Sequence, residues 1–314
     1  MTNLALLEQF RSFYYKNYPD DMVTLISYFS VFGGLDVPVD TTQDLKLLLK
    51  KTVLNNFNEL HSYIDHLTMN NDEYKRLLKA LAVGDRRIFS AFNKAGLNNG
   101  NGGNALKYLQ EKGLIQVEFS REKDPRDEYK NKKLKRADAR HRISNKVLFV
   151  YPFIRFWFYF ISPHVKDIKR GDFEKLFETF DEKITSYTSL VFEELSEILL
   201  NYHLRDSQIE SSGSYWDANI EIDILTITQN QEIYVGECKW KNHKINKKEL
   251  HKLKEKCEKL KIEPTQIIFF SKSGFSKELK QLQGKDLALY NSEDFSLLIK
   301  SKPTQNFEIF NLNY

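Results

Sequence analysis

Asp223, Glu237 and Lys239 are the side chains whose types and spacing point to chemistry, and that chemistry is hydrolysis of a phosphodiester. Asn219 to Ile227 alternates, so Ile220, Ile222 and Ile224 are expected on one face of a strand and Glu221, Asp223 and Leu225 on the other. In a second strand, Glu232 to Trp240, Ile233, Val235, Glu237 and Lys239 share a face opposite Tyr234, Gly236, Cys238 and Trp240. The polar connection Thr228 to Gln231 is short enough for a hairpin, and Asp223 and Glu237 each lie seven residues from Asn230. The two acids are therefore expected nearly opposite across the ladder. Directly opposed like charges destabilise by up to about 1 kcal/mol unless a positive group stands between them.

Mg²⁺ (or Mn²⁺) answers that need. A hard ion prefers carboxylate and phosphate oxygens and few protein ligands, and it can polarise a scissile phosphate and acidify an attacking water. Lys239, one strand repeat from Glu237, would orient that water or counter charge building on the phosphate oxygens. The seven His are scattered without ligand spacing, so zinc is not expected.

Further elements must position this set. Thr185 to Tyr202 reads as a helix with Val191, Phe192, Leu195, Leu199 and Leu200 as its stripe, followed by a short strand around His203 to Glu210. Lys247 to Lys261 reads as an amphipathic helix whose apolar positions are Leu250, Leu253, Cys257 and Leu260. Its many lysines read in part as ordinary solvation. Gln266 to Phe270 is a buried strand closed by the turn signal Ser271 to Gly274.

Upstream, residues 1 to about 70 read as helical, broken at Gly33, Gly34 and Pro38. Tyr74 to about Gln116 reads as three short helices with breaks at Gly84-Asp85 and at Gly96 with Asn98 to Gly103, a helix-turn-helix spacing. Two strands follow, Leu114 to Phe119 and Lys146 to Tyr151, giving a winged helix. Between them, residues 121 to 142 carry ten Lys or Arg against five acids. That stretch reads either as a wing tip lying along phosphates or as a solvated loop. The side chains expected to meet DNA are Arg86, Arg87, Asn104 and Lys107 on the helices and Lys132, Lys133, Lys135 and Arg136 on the wing.

The 314 residues suggest two or three domains, placed at 1–70, 71–163 and 164–314. Hydrophobic residues at 41% and charged residues at 29% fit a soluble globular chain and exclude wholesale disorder. Two cysteines, Cys238 and Cys257, suit a reduced cytoplasmic compartment and read as buried, unreactive thiols. No secretion signal is visible at the N-terminus. The most apolar stretch, Val147 to Pro163, is too short for a bilayer and carries Arg155, so it is expected to pack inside the protein rather than cross a membrane.

Asp223 followed by Glu237-Cys238-Lys239 in this order of elements resembles the PD-(D/E)XK nuclease superfamily. The strings Ser214-Tyr215-Trp216-Asp217, Glu221-Ile222-Asp223, Gly236-Glu237-Cys238-Lys239-Trp240 and Phe270-Ser271-Lys272-Ser273-Gly274-Phe275 resemble its domain of unknown function 234 branch, found at the C-terminus of archaeal-type AAA ATPases. Tyr151-Pro152-Phe153-Ile154-Arg155-Phe156-Trp157-Phe158 and Ser30-Val31-Phe32-Gly33-Gly34 extend the resemblance over nearly the whole chain. It implies an α+β chain: a helical N-terminal segment, a winged helix-turn-helix, then an α-β-β-β-α-β restriction-endonuclease-like domain. It further implies metal-dependent cleavage, with Asp223 and Glu237 as metal-binding acids, Lys239 as the catalytic lysine and Glu193 as an acid from the first core helix, Glu194 and Glu197 being alternatives to it. Glu221 reads as a further ligand or as a structural residue. No G-x-x-x-x-G-K-[ST] occurs, so an ATPase would act in trans. The expected function is a DNA-binding, Mg²⁺-dependent nuclease; the alternative is a catalytically inactive regulator or scaffold that uses the fold to dimerise or to dock an ATPase.

Overall fold

The computed structural model describes residues 2–122, 143–305 and 310–311. The chain is mixed α and β and forms two compact units, each drawn from separated stretches: 1–117 with 147–199 and 292–314, and 118–146 with 200–291. Linear composition carries no signal for units assembled this way, and the sequence reading cuts the chain consecutively at 70/71 and 163/164.

The first unit is largely helical. Helices α1 (Thr2–Asn17), α2 (Met22–Phe32), α3 (Leu45–Leu48) and α4 (Phe57–Leu67) form its N-terminal part, with a two-residue strand β1 (Leu35–Asp36) between α2 and α3. Asp21 caps α2 by accepting from the Thr24 amide, and Leu25, Ile26, Phe29 and Phe32 are fully buried along that helix. Helices α5 (Asp72–Val83), α6 (Ile88–Ala95) and α7 (Asn99–Glu111) follow, and then strands β2 (Ile115–Glu118) and β3 (Lys146–Phe149), which pair.

The Asn-Gly run that reads as a break is instead the first turn of α7. Asn98 accepts from the Asn101 amide, and a Cβ on Gly102 would lie 2.6 Å from the Phe92 ring. The glycine therefore serves close helix packing rather than a turn.

The apolar stretch after β3 starts α8 (Pro152–Phe156) and continues into a wider turn, Trp157–Ile161. Phe156, Trp157, Phe158 and Phe160 are all buried, as expected of a packing segment. Helices α9 (Val165–Ile168) and α10 (Glu174–His203) follow. The Tyr187 hydroxyl on α10 donates to the carbonyls of Pro152 (3.0 Å) and Ser30 (3.2 Å), fastening three segments together. No helix among the described residues is long and apolar enough to cross a membrane.

Glu8 on α1 is buried and secures the chain near its end. Its carboxylate accepts from the Thr304 amide and hydroxyl, the Gln305 amide (3.0 Å) and the Arg11 guanidinium (2.8 Å). Burial pushes its pKa up, but these donors outweigh burial and hold it below the ordinary glutamate value. With a lowered folded pKa, the stability it contributes is present above the unfolded value and is lost as pH falls through the folded one. Urea titrations between about pH 3 and 6 are expected to show a shallower acid-side loss for Glu8→Gln than for the parent chain.

The second unit holds a five-stranded mixed sheet. Its strands are β4 (Ile209–Ser211), β7 (Ile224–Thr228), β8 (Ile233–Lys239), β9 (Gln266–Ser271) and β10 (Leu287–Asn291), in the order β10-β9-β8-β7-β4. A small pair, β5 (Tyr215–Trp216) and β6 (Glu221–Ile222), precedes β7. Strands β7 and β8 run antiparallel, β8 and β9 parallel, and α11 (Lys247–Leu260) makes the crossover between the latter two. Leu250, Leu253 and Cys257 of α11 share a core cluster with Leu225, Val235, Ile267 and Phe269 of the sheet. The first strand is shorter than the sequence suggests, because α10 continues to His203.

Candidate active site

The hairpin β7–β8 carries the central pair. Ile224 pairs with Gly236 and Ile227 with Ile233, so Asp223 and Glu237 are the residues next after the last pair of the ladder, and the Asp223 charge acts on Lys239. Gln231, at φ 62°, closes the polar turn. Asp223 itself is a bend between β6 and β7, which breaks the expected alternation. Ile222 joins the same core cluster as Leu225, three residues on, and Ile224 does not. The bend shifts the phase of the chain by one, freeing Asp223 from the ladder; its Oδ2 accepts from the Cys238 amide at 2.8 Å. Arg121 stabilises this corner by donating to the carbonyls of Leu225 (2.8 Å), Gly213 (2.5 Å) and Ser214 (2.8 Å).

Gly236 lets the two strands close here. A Cβ on it would stand 3.0 Å from the Ile224 Cβ, tighter than ordinary packing. Gly236→Ala is expected to destabilise by about 1–3 kcal/mol and to loosen the facing of Asp223 and Glu237, measurable by urea unfolding together with Mn²⁺ titration.

Glu237 is 7% exposed and shares the α11-covered face with Val235 and Lys239. Its Oε1 accepts from Lys239 Nζ at 2.5 Å and its Oε2 from Lys256 Nζ at 2.8 Å. Burial works against the Lys239 charge, but the charge and hydrogen bond of Glu237, with Asp223 and Glu249 beyond, outweigh it and raise the pKa above the ordinary lysine value. Lys239 is thus held as a cation at neutral pH. Glu249, in the first turn of α11, accepts from Lys252 at 2.9 Å, which lowers its pKa.

Among the described residues no group of three or more His, Cys, Asp or Glu is gathered closely enough to hold an ion. The carboxylates that could serve a metal here are Asp223 and Glu237, a set that would leave the remaining positions of an ion such as Mg²⁺ to water and substrate oxygens. Cys238 and Cys257 are buried and form no disulfide, and burial pushes the Cys257 thiol pKa up, which disfavours its thiolate as a metal ligand.

The other expected residues lie on several elements. Glu193 lies on α10 in the first unit and is partly buried, as are Glu194 and Glu197. Glu221 is ion-paired with Lys146, whose buried ammonium lies 4.5 Å above the Trp216 ring. Trp216 and Trp240 are buried, like Trp157 and Phe156. Asn104 and Lys107 are exposed on α7, Lys107 lying 3.9 Å from Glu111. Arg87 is partly buried just before α6, while Arg86 turns inward with its Nη1 buried. Lys132, Lys133, Lys135 and Arg136 lie outside the described residues. Sequence reasoning missed Lys256 and Glu249. The signal was available as the spacing of Glu249, Leu253 and Lys256, one face of α11.

No curated protein matches the chain. Protein VC1899 from Vibrio cholerae has a crystal structure similar over 72% of this chain and 53% of that one, at 12% identity and a TM-score of 0.30. The chain thus spans about half of that protein's length. Residues 157–253 match DUF234, a family described as archaea bacterial proteins of unknown function, and the matched span contains Asp223, Glu237 and Lys239.

Proposed function

We propose that this chain is a DNA-binding, Mg²⁺-dependent nuclease of the PD-(D/E)XK type. The observation that carries the reading is the hairpin end, where Asp223 and Glu237 follow the last ladder pair, and Lys239 is ion-paired with Glu237 and feels the Asp223 charge. The succession α10, β4, β7, β8, α11, β9 is consistent with the α-β-β-β-α-β order of restriction-endonuclease-like domains. Helices α5 to α7 and the β2–β3 pair are likewise consistent with a winged helix that recruits duplex DNA through Asn104 and Lys107.

In this reading Asp223 and Glu237 hold the ion, Asp223 being oriented by the Cys238 amide. Mg²⁺ supplies a Lewis acid and an acidified water. Lys239, kept protonated by its acidic neighbours, positions the attacking oxygen and offsets charge on the phosphate. Purified protein with Mg²⁺ or Mn²⁺ should cut DNA, and Asp223→Ala should stop cutting while leaving DNA retention intact. Intact DNA and RNA substrates of every form under both ions would sink the reading.

One observation favours a second reading. Both oxygens of the buried Glu237 carboxylate are satisfied by ammonium groups. A centre neutralised by its own lysines suits a DNA-binding regulator or scaffold that keeps the fold for dimerisation or for docking an ATPase in trans. Gel shifts without cleavage would select it.

A further inference from the structure

Lys256 lies beyond the stretch that first draws notice, on the lysine-rich face of α11. Its ammonium differs from its neighbours in having a buried partner: it stands 2.8 Å from Glu237 Oε2, while its side chain is 30% exposed and the Glu237 side chain 9%. A buried carboxylate with one oxygen unpaired is costly, so the second ammonium has a structural reason to be there. It also occupies an oxygen that a metal ligand must give up.

Charge balance shows where the ammonium would go. Asp223, Glu237 and Glu249 carry three negative charges and Lys239, Lys256 and Lys252, the partner of Glu249, three positive ones, so the bare centre is neutral. A divalent ion brings the sum to two positive charges, the complement of the two negative charges on a phosphodiester as attack proceeds. The flexible four-carbon stem of a lysine, with its head already reaching solvent, can move from the carboxylate to that phosphate without moving α11.

We infer that Lys256 is a phosphate-binding residue of this site, holding Glu237 Oε2 in the absence of a divalent ion and pairing with the phosphate of the bound strand in its presence. The inference rests on the nuclease reading above and gives the site a residue that Asp223, Glu237 and Lys239 do not include.

Full-length protein, Lys256→Met and Lys256→Arg would be titrated with Mn²⁺ alone by calorimetry, then with a short DNA duplex in Ca²⁺ at several salt concentrations. Thermal unfolding of each variant checks folding, and Lys256→Gln replaces the methionine variant if that one is unfolded. The expected result for Lys256→Met is Mn²⁺ binding about tenfold tighter, because a competing cation is gone. Duplex binding should weaken several-fold, its log–log salt slope falling by about 0.9, and Lys256→Arg should restore both duplex affinity and slope. Mn²⁺ binding that requires Asp223 but ignores Lys256→Met, or an unchanged salt slope, overturns the role of Lys256 alone. Failure of the parent chain to bind Mn²⁺ overturns the metal-site reading itself, and the role of Lys256 with it.

Discussion

Glu237→Ala is expected to reduce Mg²⁺-dependent cleavage to the uncatalysed level, and Lys239→Ala to lower it by about 10²- to 10³-fold. The ranking follows from what each change removes. Glu237 is a metal-binding acid in the proposed site and the shared partner of two lysines, so its loss leaves Lys239 and Lys256 facing each other over a buried gap. Lys239 contributes charge next to the reacting phosphate, an effect comparable with that of one preorganised donor in other enzymes. Initial rates on an end-labelled duplex, with gel shifts run in parallel, separate loss of chemistry from loss of binding. Retention of parental rates by either variant would end the assignment. Glu237→Gln refines the test, since it keeps the side-chain shape while removing the charge that holds both ammoniums.

The hairpin was legible because a strand period is short and local. Counting equal distances from Asn230 sets Asp223 and Glu237 at matching steps from the turn, and the ladder runs up to the pair just before them, Ile224 with Gly236. The shared face of Ile233, Val235, Glu237 and Lys239 was equally readable, since the first two enter the core cluster under α11 and the last two form an ion pair. What alternation could not reveal was the bend at Asp223. A bend needs no special residue type, and its cause is tertiary: Arg121, distant in sequence, holds three carbonyls around the corner.

The same distinction explains Lys256. Among so many lysines on α11, periodicity names the exposed and buried faces but does not say which ammonium meets a carboxylate on the sheet. That depends on the crossover from β8 to β9, which carries α11 over the face containing Glu237. The Asn-Gly run before α7 misled for a related reason. Glycine propensity argues for a break, whereas the requirement imposed by the Phe92 ring is visible only once α6 and α7 are packed. Arg86, expected to meet DNA, is half-buried and places one guanidinium nitrogen in the interior. Sequence position alone does not distinguish an inward from an outward arginine.

Support for the site from the neighbouring strand leads to the second large expected effect. Phe269 on β9 pairs in register with Glu237 on β8, is fully buried and belongs to the cluster that α11 covers. Phe269→Ala is expected to cost about 3–5 kcal/mol, the transfer term plus a cavity. That is a large part of the roughly 5–15 kcal/mol by which a domain of this kind is stable. The cavity would open beside the Glu237 carboxylate, so water entering there weakens the ion pairs that fix its geometry. Phe269→Leu, which keeps most of the volume, should cost clearly less. Urea unfolding gives the stability ranking, and Mn²⁺ titration under conditions where every variant is folded gives the effect on the site. If Phe269→Ala loses stability while binding Mn²⁺ like the parent chain, the carboxylate pair does not depend on the strand beside it. If both properties fall together and both recover with leucine, the apolar side chain next to Glu237 on β9 is what keeps it in position.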